Sequence, residues 1–474
     1  MLKIQKKLTG LFYVVLGLPA TAMGFGLSIQ IAVLSWILTE KYGLDIHEVG
    51  IVWAAGPIAG ILGQLIIGAI SDKIWFWGGR RKPFIIIGGV LAALMIYLLP
   101  RLDLIDTALG IGNIMAVAIT VALTLDLSIN VGFNPTRSII ADVTPEGEPR
   151  TKAFSWMQSI SNLFGAGAYL ISALVGNYTL IYIGVVLILA FTIIPSIFIE
   201  EPTEMQSENE SHEEDSGMGE ILKALTPLYG YLLLSLYGIG AKLELFPETK
   251  TTLYIILGIG AALMVYTIAQ KERGKDADED NNRSYRKLLA AHSFTWLGVQ
   301  TMFVYAFFFI LQKLNSENNE AGKMVGWAFF ALNGFGSIFL FYMIEPLTKR
   351  IGRVKTHIIA LMLMTVGYFG IAYFTVNQYV FYAFMVLLSI GWASLVSLPF
   401  AVMTEKINKA KMGLYMGIFN LSVVLPQLVA SFILGKEIEL AQDKSLIFII
   451  SGICLLISSV LWVTVKDKKT VVSK

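Results

Sequence analysis

The chain has 474 residues, of which 55% are hydrophobic and only 15% charged, against roughly 25% charged in a globular domain, and its mean hydropathy is +0.68. That composition excludes a string of soluble domains, and a net charge of +2 from 36 basic and 34 acidic residues excludes a polybasic nucleic-acid binder. A single cysteine, Cys454, leaves no internal disulfide and no cysteine cage for a metal.

A hydrocarbon core about 30 Å thick is crossed by about 20 apolar residues in a helix. Runs of that length predict an all-α integral membrane protein with fourteen spans: 11–38, 48–71, 83–100, 111–140, 153–175, 178–199, 221–240, 251–270, 288–312, 325–347, 356–375, 378–404, 412–434 and 445–465. The first follows Lys3, Lys6 and Lys7 but is too long for a signal peptide, and no small-residue cleavage site follows it, so it is expected to stay in the membrane. With loops alternating between sides, only Lys41, Arg101, Lys242, Lys250, Lys313, Lys323, Lys436 and Lys444 fall on one face. The remaining basic residues, Arg137 apart, fall on the other face or in the termini. The positive-inside rule makes that richer face cytoplasmic, with both termini there, in a plasma membrane or a bacterial inner membrane.

The segment from Glu200 to Arg286 breaks the pattern. It opens with EEPTEMQSENESHEEDSGMGE, which reads as a solvated linker, carries two apolar spans and closes with KERGKDADEDNNR. The expected organisation is therefore a six-helix bundle over 1–200, a linker with two additional helices over 201–287, and a second six-helix bundle over 288–474.

The two bundles read as a repeat. After the second span of the first comes GAISDKIWFWGGRRKPF; after the second span of the last comes EPLTKRIGRVK. Further on, NPTRSIIADVTPEGEPRTKAF matches LPFAVMTEKINKAKMGLY in outline, with Pro135 and Pro399, then Asp142 and Glu405, then a basic cluster. The first of these loops is similar to the signature loop of the major facilitator superfamily. It takes the form seen in sucrose transporters and the related glycoside/cation symporters, with extra residues before the arginines. The similarity continues through GPIAGILGQLIIGAISDK, LDLSINVGFNPTRSIIAD, the NLFG of 162–165 and GIFNLSVVLPQLVAS. It departs in the seventh main span, where FFFILQKLNSENN replaces an acidic, Trp-bearing stretch. The resemblance implies the superfamily fold and cation-coupled symport of sucrose-like or maltose-like glycosides by alternating access.

A charge within a span costs about 2.5 to 3.5 kcal/mol on the insertion scale and marks a pathway. Asp126 is the only carboxylate near the middle of any span. Asn130, Asn134 and Arg137 follow at roughly 40°, 80° and 20° around the helix from it, forming one polar stripe. The resemblance adds that the acid and the arginine at these positions matter for transport. Asp126 is the expected proton carrier, exchanging a proton with whichever side its cavity faces, and Arg137 its charge compensation. A sodium-coupled glycoside symporter is the alternative, and a non-transporting sugar sensor on the same fold a second one.

Sugars are held by hydrogen bonds to their hydroxyls and by aromatic faces. The candidates are Gln30, Gln64, Asn130, Asn134, Gln158 and Asn162 in the first bundle, and Trp296, Gln300, Trp327, Asn333, Asn420 and Gln427 in the second. Gly56, Gly60, Gly63 and Gly68 fall near one helical face, where small residues let helices approach. Gly68, Asp72, Lys73, Arg80, Arg81, Asp142 and Arg150, with Arg350 and Arg353 of the second half, are expected to form a cytoplasmic gate; Lys349 stands where the repeat would put Asp72. There is no GxxxxGK[ST] loop for a nucleotide-driven pump and no mid-span HExxH or GxSxG for an enzyme. No cofactor or metal is called for. The expected partners are a small sugar, a proton and membrane lipid, with the chain acting as a monomer. Asn177, Tyr178 and Thr179 form a glycosylation sequon predicted on the outer side.

Overall fold

The structure, a computed structural model, describes residues 9–61, 63, 75–145, 147–201, 218–271, 277–407 and 412–466. Their principal helices are α1 (Gly10–Glu40), α2 (Ile46–Trp53, continued as helix beyond Ala54 to Ile61), α3 (Lys82–Leu98), α4 (Ile114–Val143), α5 (Glu148–Val175) and α6 (Asn177–Phe198). After these come α7 (Tyr229–Lys242), α8 (Lys250–Ala269), α9 (Ala277–Lys313), α10 (Asn318–Phe339), α11 (Arg353–Phe374), α12 (Gln378–Leu395), α13 (Met412–Val429) and α14 (Leu446–Trp462). Among the described residues the only extended pairing is the Phe76–Gly79 bridge, closed by Trp77 and Gly78 at positive φ.

Helix starts follow the sequence. Thr9, Asn113, Thr249 and Asn377 each cap the helix that follows with a side-chain oxygen, and Asp45 forms a reciprocal capping box with Glu48. These caps satisfy amide donors that a helix beginning in a membrane interface would otherwise leave bare.

Among the described residues, ten helices are long and apolar enough to cross a membrane. The other four expected spans fall short for separate reasons. Ile46–Ile61 is short, and most of the run beyond it lies outside the described residues. α5 has 28 residues, but Lys152, Gln158, Ser159, Ser161 and Asn162 make it too polar to qualify. α7 has 14 residues and α14 has 17. Residues 202–217 of the expected acidic linker also lie outside the described residues.

The chain divides into two compact units, 1–208 with 310–334, and 209–309 with 335–474. In the first, α1 packs on α5, α6 and α4, and α3 packs on α4 and α6. Glycines set the closest approaches: a Cβ on Gly88 of α3 would lie 2.7 Å from the Ser128 carbonyl of α4. In the second, α11 packs between α12 and α14. A Cβ on Gly298 of α9 would lie 2.8 Å from the Ser451 carbonyl of α14. α13 is not regular: Pro426 lies inside it, and it runs on through a π-turn at Ala430–Leu434.

Candidate functional site: a buried aspartate and two charged clamps

Asp126 lies mid-way along α4 and is 4% exposed; Gln30 of α1, 3% exposed, faces it. Gln30 Nε2 donates to Asp126 Oδ2 at 2.8 Å. On another side a Cβ on Gly56 would stand 3.4 Å from the same oxygen. One turn on, Asn130 Nδ2 donates back to the Asp126 carbonyl at 2.8 Å, and a Cβ on Gly63 would come within 2.8 Å of Asn130 Cβ. The glycine face of the second helix is therefore what makes room for the carboxylate and the amide. Gln30 Oε1 is buried with no partner among the described residues. That leaves an acceptor open beside the acid, in a setting where unmet polar atoms are costly.

The polar stripe on α4 then leads outward. Asn134 is half-buried and Arg137 exposed. Arg137 lies over the Phe133 ring, 4.6 Å from its centre, at a cavity of about 530 Å³ lined with Phe154, Ser155, Met157 and Gln158. The structure does not bring Arg137 to Asp126: they stand about 16 Å apart along the helix axis. At an effective dielectric of about 20 that separation is worth about 1 kcal/mol, less than the 1.5 to 3 kcal/mol or so of a hydrogen bond to a charged group. In this conformation Gln30 is the stronger partner. Gln158 donates to Asn162 Oδ1 at 2.9 Å, so these two amides pair with each other along α5.

Two charged clamps stand in the loops that the sequence pairs between the halves. In the first unit Arg81, just before α3, pairs through Nε with Asp142 at the end of α4, at 3.2 Å. In the second, Arg353, opening α11, pairs with Glu405, just past the helix Leu398–Thr404. The first clamp has a member that the sequence reading missed. Glu201 accepts from the backbone amides of Arg80 at 2.8 Å, Arg81 at 2.9 and 3.1 Å, and Lys82 at 2.7 Å. This is a carboxylate seated on the start of α3, where bare amides and the helix dipole favour negative charge. Arg150 donates to the Ala141 and Thr144 carbonyls and so covers the end of α4. Arg350 is exposed, and Lys349 pairs with Glu345 within its own helix. Gln64, Gly68, Asp72 and Lys73 lie outside the described residues.

In the second unit Gln427 Nε2 of α13 donates to Gln300 Oε1 of α9 at 3.1 Å. Trp296, one turn before Gln300, donates through Nε1 to His292 Nε2 and meets Trp392 edge-on. Asn420 is half-buried. The remaining two candidates belong to the part of α10 that groups with the first unit, where Trp327 packs against Phe330 and Asn333 donates to the Phe329 carbonyl. Asn177 of the sequon is buried, its Oδ1 taking a bond from Ser172.

The sequence matches the Major Facilitator Superfamily over residues 16–431. It is 28% identical over 162 residues to the sucrose transport protein SUC4 of Arabidopsis thaliana, covering 32% of each chain. It is 30% identical over 132 residues to the general alpha-glucoside permease of Schizosaccharomyces pombe, covering 26% of this chain and 24% of that one. The match thus spans about a third or less of the length of these curated relatives. Among solved structures, the nucleoside transporter NupG superposes with a TM-score of 0.66 at 11% identity, covering 96% of this chain and 100% of that one. The inward-open xylose transporter XylE from E. coli gives 0.62 at 14% identity, with 97% of each chain covered. At these identities the likeness is one of fold. The extent of the sequence match, on membrane-length helices arranged in that fold, makes the protein a multi-pass membrane member of the major facilitator superfamily.

Proposed function

We propose that the protein is a proton-coupled symporter of a disaccharide or related glycoside, working by alternating access. The observation that carries this reading is the placement of Asp126, a carboxylate buried mid-helix in the first unit and bonded to Gln30, with Asn130 beside it and the stripe ending at the Arg137 cavity. A buried ionisable group in a membrane helix is a functional site by default. The sucrose and alpha-glucoside relatives support a sugar as the passenger, and the Gln300–Gln427 pair supplies amides of the kind that read hydroxyls.

The scheme is a linkage argument. A ligand moves an equilibrium only by its differential affinity for the two states. Protonated Asp126 lets a sugar-loaded cavity close without an ionised carboxylate in it; the empty carrier returns with the acid held by Gln30 and, at longer range, by Arg137. The clamps Arg81–Asp142–Glu201 and Arg353–Glu405 act as the gate on the basic face, which the positive-inside rule assigns to the cytoplasm together with both termini. On this reading the chain is a monomer of the plasma membrane or a bacterial inner membrane, with fourteen spans organised as six, two and six. Uptake of a panel of disaccharides into proteoliposomes, with either a proton or a sodium gradient imposed, tests it. Accumulation of a glycoside under the proton gradient is expected. Accumulation only under sodium gives the reading to the alternative coupling ion, and equilibration without accumulation removes coupling.

A further inference from the structure

The two inserted helices belong to the second unit. α7 and α8 cross where Gly230 meets Gly260, a Cβ on Gly230 falling 2.6 Å from the Gly260 Cα, so their backbones touch. The other side of α7 seats on the irregular part of α13. A Cβ on Gly238 would lie 2.7 Å from Phe432 Cβ, within the π-turn. Ser235 Oγ is shared between the Tyr231 carbonyl of its own helix, at 2.8 Å, and the Leu425 carbonyl, at 3.3 Å, immediately before Pro426. Tyr231 meets Phe294 of α9 edge-on, and Glu248 in the turn between α7 and α8 pairs with Lys436 at 2.8 Å.

The contacts of Ser235, Gly238 and Glu248 with α13 and the residues just after it bracket a weak point. Pro426 removes an amide donor from the helix, and a π-turn widens the ladder that follows. Between them stands Gln427, whose amide meets Gln300. A helix broken at two nearby places does not hold a side chain to a fraction of an ångström by its own ladder; something packed against it must. Tyr305 of α9 does so from one direction, donating to the Ala430 carbonyl at 3.1 Å. α7 does so through Ser235 and Gly238.

We propose that the inserted helix α7 is a brace for the broken segment 425–434, and that Gly238 and Ser235 are positioning residues which set Gln427 against Gln300. The brace rests on the sugar-transport reading only where Gln427 touches sugar. Its direct consequence, a fixed 425–434 segment, does not depend on it.

The test compares two identical substitutions in the full-length protein. Gly238→Ala forces a Cβ against Phe432 Cβ, an atom fixed to the backbone that cannot swing aside. Gly258→Ala, on α8, adds a Cβ with nothing within 4 Å. Hydrogen–deuterium exchange over 425–434 is read alongside KM and kcat for uptake of the disaccharide panel. Gly238→Ala is expected to speed exchange there and to raise KM about two- to tenfold with kcat little changed, while Gly258→Ala changes neither. Ser235→Ala, which is close to isosteric, is expected to act in the same direction more weakly, with Ser235→Thr restoring wild-type values; it serves if Gly238→Ala does not fold. Equal behaviour of Gly238→Ala and Gly258→Ala in both readouts overturns the brace. Faster exchange in a protein whose wild type takes up no sugar of the panel keeps the brace and removes the sugar reading.

Discussion

Replacing Asp126 separates fold from coupling, because its surroundings accept an amide in place of the acid. Gln30 Nε2 now donates to Oδ2 at 2.8 Å, and Gln30 Oε1 is buried with no partner among the described residues. In Asp126→Asn the Gln30 amide can keep donating to the remaining oxygen, and its open Oε1 is available to the introduced NH2. The hydrogen bond loses its charge assistance, a change of about 1 kcal/mol, and no buried group is newly stranded. Asp126→Leu is different, since it leaves the whole Gln30 amide unpaired at about 1 to 3 kcal/mol. The expected thermal stability in detergent is therefore near wild type for Asp126→Asn and clearly lower for Asp126→Leu. Transport is expected to split the other way from stability. One proton per sugar across one pH unit supports about tenfold accumulation, since a unit is worth 1.36 kcal/mol. Asp126→Asn should bring that ratio to about one while labelled sugar still exchanges across the membrane. Proteoliposomes loaded at one pH and diluted into another measure both. Undiminished accumulation by Asp126→Asn refutes the assignment of the proton to this residue.

Glu201→Ala strands amides of Arg80, Arg81 and Lys82 at the start of α3, so a loss of about 2 kcal/mol is expected, read as a fall in melting temperature that Glu201→Asp only partly restores. Gly63→Val pushes a branched side chain against Asn130, whose Cβ already stands 2.8 Å from where a Cβ would be; overpacking of this kind costs about 1 to 3 kcal/mol, and uptake should fall with stability while Gly167→Val, which has nothing within 4 Å, leaves both intact. A double-mutant cycle with Arg81→Ala and Asp142→Ala should give a coupling of about 1 kcal/mol or more, because this pair is largely buried rather than solvated. Gln427→Ala and Gln300→Ala should each raise KM, and the double variant by less than the product of the two, since their amides bond each other.

The sequence made Asp126 legible because a lone carboxylate in mid-span needs no neighbour to stand out. It also exposed the stripe with Asn130, Asn134 and Arg137, which depends only on helical period. Partners across helices were not legible. Gln30, a sugar-ligand candidate from the sequence, also donates to Asp126 from 96 residues away, since period says which way a side chain points and not which helix stands opposite. The glycine face on the second helix was seen as packing without its object; Asp126 and Asn130 are that object. Glu201 was hidden in an acidic run that composition assigns to solvent, although it sits against the start of α3 rather than in water. The loops whose sequences match between the halves are those that carry the Arg81–Asp142 and Arg353–Glu405 pairs. The spans were clear wherever a helix is uniformly apolar. They blurred for α5, whose polar face costs it hydropathy, and for α7, which is short.

Sugar-driven proton movement is the most direct test of coupling. Proteoliposomes holding a pH-sensitive dye, with no gradient imposed and an ionophore to collapse voltage, are given an external disaccharide such as sucrose or maltose. Acidification of the interior is predicted, with no need for sodium and none seen with Asp126→Asn. Sugar entry without acidification, or acidification that persists in Asp126→Asn, contradicts the account.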